Sequence, residues 1–325
     1  MELEQLITYR TRSKGRDYGI VNEWEDVFAE KMQIPLYYDD WKRRVSRILN
    51  KMPWIAELFM QTWKPSFVFT MLPLGNPSGN NKRNIVPCII DFFLRDENSL
   101  KDFYRKYRRN PLVLISSKEA YDYLRAQKCP LNIRHLALSI SDKYHVTSDT
   151  KFAKEYDVVM LGRQNKVLMG FLEQYKEKHP DLTYVYGVKN GHKFSYRNSK
   201  GNVIGSLDSR EEYMAMMCKS RIGLYATPGM DGGREHTNGF NQVTPRFLEY
   251  LVSGCHVIAR YPQNSDTDFY EMDKLSVNAD TYEQFEEAMN KARQQDVNMG
   301  LYSSYLEKHY TSERVRTLQE YLKEI

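Results

Sequence analysis

The chain has 325 residues, 41% of them hydrophobic and 27% charged, with a formal net charge of +5. This balance fits a globular protein of two domains and excludes a fibrous, disordered or polytopic membrane chain. The longest apolar stretches, such as Leu112 to Ile115 and Asp157 to Leu161, fall far short of the roughly 20 residues a bilayer span needs. The opening MELEQLITYR lacks a basic-then-apolar leader, so the expected location is cytoplasmic. Cys88, Cys129, Cys218 and Cys255 are widely separated and form no CxxC pair, which argues against a zinc site or a disulfide framework.

Strand-like and helix-like runs alternate along the whole chain, which predicts an α/β protein with mainly parallel sheets. In the first half, strands are expected at Leu6 to Thr11, Ser66 to Leu72, Ile85 to Phe93, Leu112 to Ser116 and Ile133 to Ile140. Helices are expected at Ile20 to Met32, Ser99 to Tyr107 and Lys118 to Gln127. The polar, aperiodic stretch Ser141 to Tyr156 reads as a linker, giving domains of residues 1–150 and 151–325. Charge divides at the same place. Residues 1–150 carry 24 Lys and Arg against 18 Asp and Glu, whereas residues 151–325 carry 23 against 24. The excess concentrates in Trp41 to Lys51 and Lys101 to Asn110, basic helices with interleaved aromatic or aliphatic residues. Such faces suit an anionic membrane surface, an acidic acceptor, or simply solvent. No nucleic-acid-binding motif accompanies them.

The second half restarts the rhythm. Strands are expected at Val158 to Leu161, Leu182 to Gly187, Ile222 to Ala226 and His256 to Arg260. Helices are expected at Lys166 to Lys178, at Ser209 to about Ser220, and at Tyr282 to Arg293. Ser209 and Glu212 form a capping box, and Lys189 to Asp208 reads as a loop or hairpin. The final helices, Leu301 to Tyr310 and Ser312 to Glu324, are candidates to cross back over the linker.

The chemistry concentrates between Pro228 and Ala259. A glycine-rich loop, PGMDGGREHTNGFNQ, leads to Thr244 and Pro245, which suit the N-cap and first position of a helix, and Gly254 suits its C-terminal stop. Helix dipole and free amides at such an end favour an anion. Helical spacing puts Phe247, Leu248, Leu251 and Val252 on an apolar face. Arg246, Glu249, Tyr250 and Ser253 fall on a polar one. Arg246 there offers a fork to a phosphate and Glu249 accepts from a ribose diol. A bare Arg246–Glu249 surface pair is the structural alternative.

The stretch TPRFLEYLVSGCHVIA resembles the motif R-F-E-x-L-A-x-G-x-x-V-I of group-1 glycosyltransferases and the related spore-maturation-protein-like enzymes. DVVMLGRQNK resembles the first strand and loop of their donor domain. The likeness covers residues 157 to about 290 and implies a GT-B fold, two facing Rossmann-like domains with an interdomain cleft and the donor held by the second. It implies donor contacts from Glu249 on the ribose and from Arg163, Lys166, Arg246 and the Gly232–Gly233 loop on the diphosphate and sugar. Two departures stand out. Asn241 occupies the position of the first glutamate of a Glu-x7-Glu pair, and only two residues separate Arg163 from Lys166.

The implied activity is transfer of a sugar from a nucleoside diphosphate sugar to a glycan or lipid-linked acceptor, as in cell-surface polysaccharide synthesis, with weak membrane contact by the first domain. A sugar-nucleotide 2-epimerase of the same fold, or a non-catalytic nucleotide-binding protein, are the alternatives. On the acceptor side Asp17, in SKGRDYG, and Asp91, closing CIIDFF, are the candidate bases. The triplet Asp266-Thr267-Asp268 opens a short helix, where acids are expected from the dipole alone, so no metal or other cofactor is expected. His236 in the glycine-rich loop, and Tyr186 and Tyr225 near strand ends, complete the candidates.

Overall fold

The computed structural model describes residues 1–10, 18–38, 64–74, 83–190 and 193–325. Asp17 and the basic segment Trp41 to Lys51 lie outside them. Contacts divide the chain into one unit of Met1–Asp142 with Tyr310–Ile325, and a second of Lys143–His309. Both are Rossmann-like α/β layers.

The first unit is built on β1 (Gln5–Thr8), β2 (Leu36–Tyr38), β3 (Ser66–Thr70), β4 (Ile85–Ile89), β5 (Val113–Ile115) and β6 (Ile133–His135). They pair in parallel in the order β2-β1-β3-β4-β5-β6. β1, β3, β4 and β5 are buried along their whole length, as continuous apolar runs in a parallel sheet should be. Helix α1 (Gly19–Met32) turns Val21, Trp24 and Phe28 onto Phe67 and Phe69, the Phe28 and Phe67 rings stacking at 5.0 Å. α2 (Glu97–Tyr107) and α3 (Lys118–Ala126) start at caps from Asp96 and Ser117.

The second unit contains β7 (Tyr156–Met160), β8 (Tyr184–Asn190), β9 (Lys193–Asn198), β10 (Val203–Gly205), β11 (Ser220–Ala226), β12 (His256–Arg260) and β13 (Ser276–Asn278). Their order is β10-β9-β8-β7-β11-β12-β13. β9 pairs antiparallel with β8 and with β10, and the other pairings are parallel. The polar stretch after β8 is therefore a hairpin extending the sheet. Helices α4 (Lys166–Lys178), α5 (Arg210–Cys218), α6 (Arg246–Val252), α7 (Ser265–Phe269), α8 (Met272–Leu275), α9 (Tyr282–Gln294) and α10 (Met299–Leu306) follow in chain order. Leu168, Leu172 and Tyr175 of α4 pack with Phe285, Met289 and Ala292 of α9, the spacing of one helix face.

The last helix, α11 (Thr311–Lys323), belongs to the first unit. Its Val315, Leu318 and Leu322 join the α1 core, and Arg314 Nε donates to the Ala137 carbonyl at 3.0 Å. Several expected strands end early. Ile133 to Ile140 is a strand only to His135, since Ala137 and Leu138 give carbonyls to Arg314 rather than to a neighbouring strand. Among the described residues no helix is long and apolar enough to cross a membrane.

Candidate functional site

In the second unit the chain leaves β7 through α4 to reach β8 on one side, then returns through α5 to β11 on the other. Strand order reverses between β7 and β11, so the loops at their C-terminal ends diverge and leave a crevice. Leu161 to Asn165 follow β7, and the glycine-rich loop follows β11. The predicted donor residues come from these two loops and from α6.

Gly162 has φ +68, and a Cβ there would lie 2.6 Å from Arg246 Nη2. The guanidinium of α6 thus rests directly on the turn after β7, a contact only glycine leaves room for. Arg246 Nη1 donates to the Arg163 carbonyl at 3.3 Å. Its Nε is enclosed without a hydrogen-bond acceptor among the described residues. No carboxylate pairs with it there, although burial disfavours its charge while Tyr213, Tyr250 and Glu249 hold its pKa up. Lys166 Nζ lies 3.8 Å from where a Gly232 side chain would begin, and Lys166 and Arg163 are both exposed. The structure therefore gathers Arg163, Lys166, Gly232 and Arg246 at the switch point. Gly233 lies beside them and is held by its amide on the Met230 carbonyl.

Asp231 fixes the loop. It has φ 54, and its carboxylate accepts from Arg260 Nε at 2.6 Å, Arg260 Nη2 at 2.9 Å and Asn165 Nδ2 at 2.9 Å. These bonds tie the loop to the end of β12 and the start of α4. The Arg260 hydrogen bonds hold the Asp231 carboxyl below the usual range, with Asn165 and the Lys166 charge adding to the effect. Neither Arg260 nor its pairing with Asp231 was foreseen, because the two are brought together only by sheet topology.

Several expectations need correction. Glu249 does not sit on an exposed polar face and does not pair with Arg246. It is 5% exposed, and its Oε1 lies 2.6 Å from Arg210 Nη2 at the start of α5. Tyr250 is fully buried, its ring filling the space above Gly223. Thr244 does not cap α6. Pro245 takes the N-cap position without a side-chain bond, and the Thr244 amide donates to the Tyr225 hydroxyl at 2.8 Å. Tyr225 is 1% exposed and packs on Phe247, so its ring is not available for stacking. At the start of α4, Asn165 Oδ1 accepts from the Val167 and Leu168 amides, so these two are already satisfied.

The other candidates scatter. Asn241 Oδ1 accepts from Thr227 at 2.8 Å and its carbonyl from Asn264 Nδ2, so it braces the end of the loop. His236 is exposed, and Tyr186 is half-buried against the α4–α9 core. Asp266 is fully buried, whereas Asp268 Oδ1 accepts from Gln263. Among the described residues no three His, Cys, Asp or Glu side chains cluster as metal ligands do. Cys88, Cys129, Cys218 and Cys255 are free thiols. In the first unit Asp91 is half-buried just beyond β4, its amide donating to the Met71 carbonyl at 2.8 Å.

Residues 163–320 match the family model described as glycosyl transferase-like. No curated protein matches the chain. Among solved structures, the GtfA/B complex aligns at 12% identity and TM-score 0.52, over 84% of this chain and 60% of that one. HepE of Anabaena, in complex with UDP, aligns at 10% identity and TM-score 0.51 over the full length of both. The pneumococcal O-GlcNAc transferase GtfA, in complex with UDP and GlcNAc, aligns at 12% identity and TM-score 0.50, over 82% of this chain and 59% of that one. The chain thus spans about 60% of the length of the matched chains of the GtfA/B complex and of the pneumococcal GtfA.

Proposed function

We propose, from the match of residues 163–320 to a glycosyl transferase-like family model and from the GT-B fold, that the protein transfers a sugar from a nucleoside diphosphate sugar to a glycan or lipid-linked acceptor. One observation carries the reading. Arg246 presents a guanidinium with no carboxylate partner among the described residues, on the Gly162 turn and in the crevice that also holds Lys166 and Gly232. A half-buried cation with an enclosed Nε and no carboxylate partner among the described residues is costly, and an anionic ligand is what offsets the cost. Two negative phosphates match the set of Arg246, Lys166 and Arg163.

The chemistry follows. Breaking the bond from the anomeric carbon to the diphosphate builds negative charge on the leaving oxygens. Fixed cations beside them stabilise that charge most at the transition state. Glu249 faces the donor ribose in this reading. Its pairing with Arg210 uses one side of the carboxylate, which has about four acceptor positions in all. Asp91 and Asp17 are the candidate bases for the acceptor hydroxyl. The uridine nucleotide is the first donor to try, since HepE and the pneumococcal GtfA were both solved with UDP. The side-chain cations suffice for the leaving group, and activity is expected to survive chelator. Loss on EDTA with recovery on manganese would bring Asp266 and Asp268 forward.

The test is an assay of UDP release from UDP-sugars with and without candidate acceptors. Acceptor-dependent release supports transfer. Binding of UDP with no release from any sugar donor would leave a nucleotide-binding protein. Contact with anionic membrane would come from Trp41 to Lys51. There, four or five bases at about 1 kcal/mol each would give attachment at low salt. Co-sedimentation with phosphatidylglycerol vesicles against neutral ones tests it.

A further inference from the structure

Residues three apart on a helix are neighbours, and an arginine followed by a glutamate at that spacing ordinarily pairs. Arg246 and Glu249 have that spacing on α6, yet they do not pair. Glu249 is taken by Arg210, 36 positions before Arg246, at 2.6 Å. Both side chains of that pair are nearly buried, at 10% and 6% exposure. The rings of Tyr144 and Tyr213 lie near the Arg210 guanidinium, with centroids 5.9 and 5.8 Å from Cζ. Arg210 is also the first residue of α5, whose start is fixed by the reciprocal Ser209–Glu212 capping box. Its backbone position is therefore set independently of Glu249. Meanwhile Arg246 keeps an enclosed Nε without an acceptor among the described residues, and its fork rests on Gly162.

We propose that Arg210 is a positioning residue for the diphosphate site: by holding Glu249 it keeps that carboxylate off Arg246, so that the Arg246 charge is left for the phosphates. This rests on the reading of the crevice as a nucleoside diphosphate site. Arg210 touches no ligand in this account. It acts through Glu249, and Glu249 acts through its choice between two arginines. Without Arg210, a buried carboxylate one turn from Arg246 has that guanidinium as its nearest way to be neutralised, and it competes directly with phosphate.

The test is calorimetric titration of the full chain with inorganic pyrophosphate and with UDP. Arg210→Met should weaken pyrophosphate binding about tenfold, the loss of one charge-assisted contact. Arg210→Lys should stay near wild type. The decisive variant is Arg210→Met with Glu249→Gln, which removes the competitor and should return pyrophosphate affinity to within about threefold of wild type. A merely structural role for Arg210 predicts no such rescue. Pyrophosphate binding unchanged in Arg210→Met, or as weak in the double variant as in the single, would overturn the proposal. If Arg210→Met does not fold, the double variant, which leaves no buried charge unpaired, decides against wild type: weakened pyrophosphate binding there overturns the proposal. Wild type that binds UDP while Arg210→Met is indifferent sinks this inference alone. Wild type that binds neither ligand sinks the diphosphate site and this inference with it.

Discussion

Both sheets reverse strand order beside their first strand, β1 in one unit and β7 in the other, and a guanidinium lies just beyond that strand's end in each: Arg10 after β1, and Arg246 of α6 on the Gly162 turn after β7. Beyond β1, Arg10 is spent within the unit. It pairs with Glu25 at 2.8 Å and Asp26 at 2.7 Å and donates to the Asn22 carbonyl at 2.6 Å. Glu25 is 3% exposed and also accepts from Thr8, the last residue of β1. Burial raises the Glu25 carboxyl above the usual range, with Thr8 and Arg10 pulling the other way. Beyond β7 the accounts are left open. Arg246 and Lys166 have no carboxylate partner among the described residues, and the loop acid beside them, Asp231, is satisfied by Arg260 and Asn165. The same strand reversal thus recurs in each unit, and among the described residues Arg10 has carboxylate partners where Arg246 has none.

The largest effect should come from breaking the closed side. Arg10→Met leaves Glu25 buried and unpaired, and should cost about 3 kcal/mol of stability. UDP affinity should not change, because no cation of the open crevice is touched. Urea unfolding and UDP titration of this variant check both halves. A loss of UDP binding with intact stability would erase the distinction between the units.

Acid should also act on the first unit. Burial pushes the His135 imidazole down to about 4, against the helping bond to the Ser116 carbonyl at 3.1 Å. The unfolded chain takes up this proton near pH 6.5, and the folded chain refuses it until about pH 4. Stability is therefore complete above pH 6.5 and falls as pH drops between the two, by at most about 3 kcal/mol from this group. His135→Gln keeps a donor for Ser116 and should flatten that part of the pH dependence of the urea midpoint. An unchanged acid slope would assign it elsewhere.

A smaller effect is expected at the open crevice from Gly162→Ala. The substitution strains a φ of +68 and pushes a methyl to within 2.6 Å of Arg246 Nη2. About 1–2 kcal/mol of strain is expected from the left-handed backbone. UDP should bind about tenfold more weakly as the guanidinium shifts. Melting temperature and UDP titration measured together separate strain from lost positioning.

Much of the second unit was legible because its signals are local. The helix at Lys166–Lys178 and the strand at His256–Arg260 follow from short-range apolar patterns. The Ser209–Glu212 capping box and Gly254 at φ +62 follow from the spacing and type of single residues. Gathering Arg163, Lys166, Gly232 and Arg246 needed only the order of elements. What escaped reading is what packing between distant segments decides. The partner of Glu249 could not be found on its own helix, because α5 docking on α6 brings Arg210 within reach. Arg260 meets Asp231 only because β12 lies next to β11. The stretch Lys189 to Asp208 could be read only as a loop or hairpin, since strands at a sheet edge need little apolar patterning to tell the two apart.

The central claim is that Arg246 is held unneutralised for a diphosphate. Calorimetric titration of wild type and Arg246→Met with UDP and with uridine, which lacks the phosphates, tests it most directly. Wild type should bind UDP far more tightly than uridine, with the gap shrinking as salt rises. Arg246→Met should weaken UDP by about 10- to 100-fold, the range expected for charge-assisted hydrogen bonds, and leave uridine unchanged. UDP affinity equal in the two proteins, or a parallel loss for UDP and uridine, would contradict the account.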